Sequence, residues 1–392
     1  MARTRSLVPI AAGCLAIAAG SAAPAARAAE AAATTASADD RADTKATMRE
    51  IFESIRVLLP LSVNATTLAA PENRAAVEQA LTSLQRNAGA LVSHARSQDA
   101  ARRYLGGSLA GDAAEALERY RAGRYDGAAF QIQQTTENCV ACHTQLRSPG
   151  DSPAAKHFMS REALAKLPLA DRARLLVATR QFDEASATYE KLLADPSAHP
   201  GELLGPLTSY LIVEVRVRGD FAGARKTLER FAKRPDLWRH LASDVEQWIR
   251  ALRELEPLRD LPPDLASARQ LVDRARGLQL YPADRRALIH YLVASSMLQR
   301  VLDSAGVSDR EAGEAYYLLG LCETNVTESY WVSQADLYLE TAIRLAPKEP
   351  FAEEAYVLLE EETIISYTGN SGEELPASVA QHLDELRRLI DR

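Results

Sequence analysis

Thr135-Thr136-Glu137-Asn138-Cys139-Val140-Ala141-Cys142-His143 is the stretch whose reading decides the fold. Cys139 and Cys142 stand three positions apart, close to one helical turn, and His143 follows at once. Between Tyr125 and Leu146, the residues Ala128, Ile132, Thr135, Cys139, Cys142, His143 and Leu146 fall on one side of a helix. Two thiols at this spacing with a histidine after the second form the attachment pattern of c-type haem. The thiols would add to the two vinyl groups of one porphyrin, and the next residue would fall under the iron as proximal ligand. Competing chemistries lack their partners. A zinc site needs a second ligand pair, and Cys14 and Cys322 are single and remote. A thioredoxin-like site needs βαβ surroundings, and a disulfide across two residues closes too short a loop to stabilise much.

Working outward, residues 44–149 read as four helices, the motif lying near the end of the last. The first runs from Thr44 to Val63, with Met48, Ile51, Phe52, Ile55, Leu58 and Leu59 as one stripe and Pro60 as a kink or stop. The second begins at Pro71-Glu72 and carries Val77, Leu81, Leu84, Ala88, Leu91 and Val92. Gly106, Gly107 and Gly111 mark a loop, followed by a short third helix over Asp112–Ala122. A haem on the fourth helix would then be wedged between facing helices of the bundle.

The late motif, Arg147 four residues after His143, Met48 early in the first helix and the bundle length together resemble the class II c-type cytochromes, the cytochrome c′ and c-556 group. The resemblance covers residues 44–149 and implies one covalent haem c. In the c-556 type a first-helix methionine closes the iron, which would make Met48 the distal ligand of an electron carrier. In the c′ type the sixth position is open to small gases, and Phe52 would be the distal neighbour. Without ligation Met48 simply fills a core gap. Arg147 reads either as a partner for a haem propionate or as a helix-end charge favoured by the macrodipole. A class I arrangement would instead use Met159 downstream, and His157 is a further axial alternative. Members of the family often dimerise through their first two helices, which would make this chain a homodimer.

The N-terminus reads as an export signal over residues 1–28: Arg3 and Arg5, an apolar run from Leu7 to Ala19, and Ala26-Arg27-Ala28 as cleavage pattern. The run is too short to span a membrane. Cys14 lacks a large apolar residue three positions before it, which speaks against a lipoprotein. Export points to a periplasmic or secreted protein, the compartment where bacterial c-type haem is attached. Residues 29–43, rich in Ala, Thr, Ser and Asp, read as a flexible linker.

Apolar residues make up 47% of the 392, Leu and Ala dominate, and period-two alternation is scarce, so the class is all-α. Net charge is −7 with no basic stripe, which excludes nucleic acid as the expected partner. Ser148–Ser160 is Pro- and Gly-containing and reads as a domain boundary. Residues 160–392 resemble tetratricopeptide repeats, an α-solenoid of helix pairs with small residues where helices touch. Gln181-Phe182-Asp183-Glu184-Ala185 and Gly219-Asp220-Phe221-Ala222-Gly223-Ala224 open two second helices, and Gly320 with Ala335, Leu339, Ala342 and Pro347 gives the fullest match. From Leu237 to Leu302 the pattern fades into plain helices. Such arrays dock proteins or peptides.

Glu349–Arg392 holds 11 acidic and 3 basic residues, either a face for a basic partner or the solvated cap of the array. Cys322 reads as a buried thiol and His290 as a packing residue. No Ser-His-Asp set, nucleotide loop or H-E-x-x-H is recognisable, so no enzyme is expected. The expectation is an exported monohaem electron carrier docked to a redox protein by its array. The alternatives are a gas sensor with an open distal site and a scaffold with a structural haem.

Overall fold

The computed structural model describes residues 23–94, 100–145, 151, 164–281, 284–326, 334–369, 372–373 and 375–392. It divides into two compact units, Met1–Ala46 and Thr47–Arg392. The first is described only as the leading part of helix α1 (Ala23–Ser62). That helix begins well before the expected Thr44 and takes in the stretch read as a linker.

In the second unit, α1 continues past Met48 and ends at Ser62, whose hydroxyl donates to the Leu59 carbonyl at 2.9 Å. Pro60 lies in this last turn; it has no N–H to give the carbonyl four residues back, and the helix ends two residues later. A short α2 (Ala65–Ala69) follows, capped by the Asn64 side chain, which accepts from the Thr66 N–H. After a 3₁₀ turn at Pro71–Asn73 come α3 (Arg74–His94), α4 (Ala100–Arg121) and α5 (Tyr125–His143). Ile51, Ile55, Leu58 and Leu59 of α1, Val77, Leu81, Leu84 and Ala88 of α3, Leu109, Ala113 and Ala116 of α4, and Ala128 and Ile132 of α5 share one core. Each fully buried leucine contributes about 1.5–3 kcal/mol. The chain turns from α4 to α5 at Gly123, whose φ of +73° a residue with Cβ enters only with strain.

One expectation fails here. Gly106, Gly107 and Gly111 lie inside α4 and not in a loop. A Cβ on Gly106 would come within 3.2 Å of Val92 and 3.4 Å of the Ala88 carbonyl, so this glycine lets α3 and α4 approach closely. Interior glycine costs a helix about 1 kcal/mol, and the apolar stripe Leu105, Leu109, Ala113, Ala116, Leu117 and Tyr120 outweighs it.

Beyond residue 163 the chain forms an array of helices: α6 (Leu169–Ala178), α7 (Phe182–Leu193), α8 (Leu204–Ile212), α9 (Phe221–Phe231), α10 (Arg239–Leu255), α11 (Leu265–Leu278), α12 (Leu288–Leu302), α13 (Asp309–Val326), α14 (Ala335–Leu345), α15 (Pro350–Tyr367) and α16 (Ala377–Asp391). The class is all-α, with helix pairs packed as in a repeat array; α6 lies on α7, α11 on α12 and α13 on α14. A two-residue antiparallel ladder pairs Thr368 with Glu373 and Gly369 with Gly372. Ala185, Ala224 and Ala342 are fully buried, as helix contacts of small residues require. At Gly320 a Cβ would sit 2.5 Å from Leu339 Cδ2, so α13 meets α14 there only because the side chain is absent. Between α8 and α9 a π-helical turn, Val213–Arg218, ends at Gly219 with φ +64°. It buries Arg216, which donates to Glu323 at 2.6 Å and to Ser295 at 2.8 Å and so ties α8 to α12 and α13.

The expected boundary at Ser148–Ser160 lies almost wholly outside the described residues. The helices on its two sides nonetheless touch: α5 packs on α6, and α4 on α14. No helix among the described residues is long and apolar enough to cross a membrane.

The two kinds of helix glycine should respond oppositely to alanine. Gly320→Ala forces Leu339 aside and should lower unfolding free energy by about 1–3 kcal/mol. Gly107→Ala, with nothing within 4 Å of its Cβ, should raise it by about 0.5–1 kcal/mol. Urea melts of both variants check this.

Candidate haem-attachment site

Helix α5 belongs to two cores in turn. Its first half puts Ala128, Ala129 and Ile132 among α1, α3 and α4. Its last turns put Val140 into the core of the array, with half-buried Cys139 packed against it. The motif was expected between facing helices of the bundle. Instead it sits where α5 passes from one core to the other. Helical periodicity identified the buried face of the first half of α5 through Ala128, Ile132 and Thr135; in the second half Glu137, Asn138, Val140 and Ala141 are buried, and Cys139, Cys142 and His143 are half-buried.

Cys139 and Cys142 are both half-buried, and neither is closed into a disulfide. Cys139 Sγ donates to the Thr135 carbonyl one turn back, at 3.6 Å. Burial, with a smaller push from Cys142, raises its pKa to about 12, so it stands as a thiol.

His143 is the last residue of α5. The following Thr144 closes the helix, its N–H and its hydroxyl both reaching the Val140 carbonyl, at 3.0 and 2.9 Å. His143 Nδ1 lies 2.9 Å from the Ala178 carbonyl at the end of α6. A carbonyl only accepts, so Nδ1 carries the proton and Nε2 keeps its lone pair. Burial lowers the imidazole pKa to about 4; the nearby Arg180 guanidinium adds to this, and the Ala178 hydrogen bond opposes it. The ring is therefore neutral, the form that binds metal. A backbone carbonyl holding the second nitrogen is also the usual support of a metal-bound histidine.

Polar side chains brace the same stretch. Glu137, buried, forms an ion pair with Arg174 of α6. Asn138 and Gln131 donate to the two oxygens of Asp112 on α4, at 2.6 and 2.9 Å. Burial pushes the Asp112 carboxyl above its ordinary range, and the two amides pull it back in part. Gln145, just past the motif, hydrogen-bonds Gln334 ahead of α14.

Met48 and Phe52 are half-buried on α1 and pack on the core shared by α1, α3, α4 and α5. Gln133 of α5 donates to the Ser62 carbonyl at 2.7 Å, and Tyr120 donates to the Leu68 carbonyl at 3.2 Å. The end of α1 therefore lies against the middle of α5. Arg147, His157 and Met159 lie outside the described residues. His290 is buried in the array core with no hydrogen bond at either nitrogen.

Ala178, Arg174, Arg180 and Asp112 were missed from sequence. Ala178 acts through its backbone and leaves no side-chain signal. Glu137 and Asn138 were missed as well, and the signal that could have found them is two polar residues directly before Cys139 on a buried helix, which demand partners. Among the described residues, no group of three or more His, Cys, Asp or Glu is placed to hold a metal ion. Haem iron, held by its porphyrin, asks the protein for only one or two axial ligands. The residues present fit such a group: two thiols outside any disulfide and a neutral imidazole with its second nitrogen held. No protein-family profile matches the sequence, and no curated protein or solved structure is detectably similar to it.

Arg174→Leu leaves the buried Glu137 carboxylate without its partner. Because Arg174 is partly exposed, the expected loss of stability is about 2–3 kcal/mol, below the figure for a fully buried pair. Adding Glu137→Leu should restore most of it. A urea-denaturation double-mutant cycle measures both terms.

Proposed function

We propose that this chain is an exported c-type cytochrome with one covalent haem, carrying electrons and docked to a redox partner by its helical array. The observation that carries the reading is the state of His143. Its Nδ1–H is held by the Ala178 carbonyl at 2.9 Å, which leaves the Nε2 lone pair for a ligand role. Cys139 and Cys142 would hold the porphyrin by thioether bonds, and His143 would hold the iron. The bound group supplies one-electron chemistry. The protein orients the ring through Ala178, limits water by burying the α5 end, and fixes that end through Glu137–Arg174 and Asp112–Asn138.

In this reading α1, α3, α4 and α5 form a four-helix bundle of the class II cytochrome type, and the helices from α6 onward form a tetratricopeptide-like solenoid. Met48, half-buried on α1 and packed on the core that α5 shares, is the proposed sixth ligand. A thioether there raises the iron potential and suits an electron carrier. Arg147 remains a proposed propionate partner, and Phe52 a distal neighbour. The helix pairs with Ala185, Ala224 and Gly320 at their contacts support the solenoid, whose concave face is the proposed docking surface. The motif and the N-terminal signal support a periplasmic or secreted location.

The optical spectrum of the purified holoprotein tests this. The reading expects low-spin iron with a Met-to-ferric charge-transfer band, converted to high spin by Met48→Ala. A high-spin wild-type spectrum with rapid carbon monoxide binding would contradict the carrier reading and favour a gas sensor. A low-spin spectrum untouched by Met48→Ala would remove Met48 from the iron.

A further inference from the structure

We propose that His290, in the middle of the helical array, is an acid-sensitive latch: protonating its ring breaks the packing of α12 on α10 and α11, so the array holds at neutral pH and loosens as the medium acidifies. The proposal is independent of the haem reading, because no residue of the Cys139–His143 stretch takes part in it.

The first argument is position. Helix α12 packs on α10, α11, α13 and the π-helical turn Val213–Arg218, so several parts of the array close on it. His290 lies in its first turn and is 3% exposed. Its neighbours Leu288, Ile289, Tyr291, Leu292, Val293 and Ala294 are buried too. A helix buried on all sides offers no solvent face to which the ring could turn.

The second argument is hydrogen bonding. Neither ring nitrogen of His290 has a partner. A neutral imidazole carries one N–H and one lone pair. The imidazolium would instead leave two charged donors unpaired, at a much larger cost. Only the neutral ring is tolerated in this packing.

The surrounding charges act in the same direction. Arg274 of α11 repels a protonated ring. Glu254 of α10 attracts it, but Arg274 already holds both oxygens of that carboxylate, at 2.6 and 2.9 Å. Arg216 of the π-helical turn meets α12 at Ser295 and is paired with Glu323 of α13. Burial, and then Arg274, lower the His290 pKa to about 4, with Glu254 opposing. An unfolded histidine titrates near about 6.5. Because the native value lies below the unfolded one, the unfolded chain takes the proton first. Stability is complete above about pH 6.5 and is lost as pH falls from there toward 4.

The competing outcome is a harmless packing residue. On acidification Glu254 would leave Arg274 and pair with the imidazolium, and the array would stay closed. The two differ in how strongly stability depends on pH through residue 290.

Urea denaturation of the full-length protein at pH 7 and pH 5, with His290→Gln, His290→Leu and Arg274→Gln alongside, tests this. The unfolding constant of the wild type should rise about twentyfold more between the two pH values than that of either His290 variant. Arg274→Gln removes the repelling charge at a half-exposed position and frees Glu254 for the ring. Its rise should be smaller than the wild type's by about threefold or more. A wild-type rise within about threefold of both His290 variants, or below them, would overturn the proposal. If neither His290 variant folds, a wild-type rise equal to that of Arg274→Gln would overturn it.

Discussion

The hydrogen bond from His143 Nδ1 to the Ala178 carbonyl is the contact on which the rest of the account depends. It fixes the imidazole tautomer, frees Nε2, and ties the end of α5 to the end of α6. The buried surroundings that make it strong also keep the ring neutral. An exposed histidine at the same place in the sequence would have a freely rotating ring and would exchange protons near neutral pH.

Two cores meet at this contact. Helix α5 is shared between them, entering the first through Ala128 and Ile132 and the second through Val140. Glu137–Arg174 and Gln145–Gln334 cross the same seam. Any movement of α6 against α5 would therefore act on His143 directly. A redox group placed here would be linked to whatever the array binds, without a separate relay. Burial of a polar set at the seam is tolerable because nearly every member has a partner; Glu137 and Asn138 each keep one unbonded oxygen.

Much of this was legible from residue patterns. The stripe Val77, Leu81, Leu84, Ala88, Leu91 fixed α3 and its buried face, and Gly320 with Leu339 and Ala342 fixed the α13–α14 contact, because both rest on spacing alone. Gly106 and Gly107 were misread as a loop because propensity speaks for single residues, whereas the apolar stripe of α4 and the close approach of α3 act on the whole helix. The haem reading of the thiols and His143 rests on spacing alone. Ala178 does not, since a backbone carbonyl from residue 178 has no signature until the fold brings it to His143.

The most direct measurement is intact and peptide mass spectrometry of the protein expressed in a host that matures c-type haem. The account predicts one haem covalently attached, retained after acid-acetone extraction, and located on the peptide spanning Cys139–His143. An unmodified mass with Cys139 and Cys142 both recovered as alkylatable thiols would contradict it.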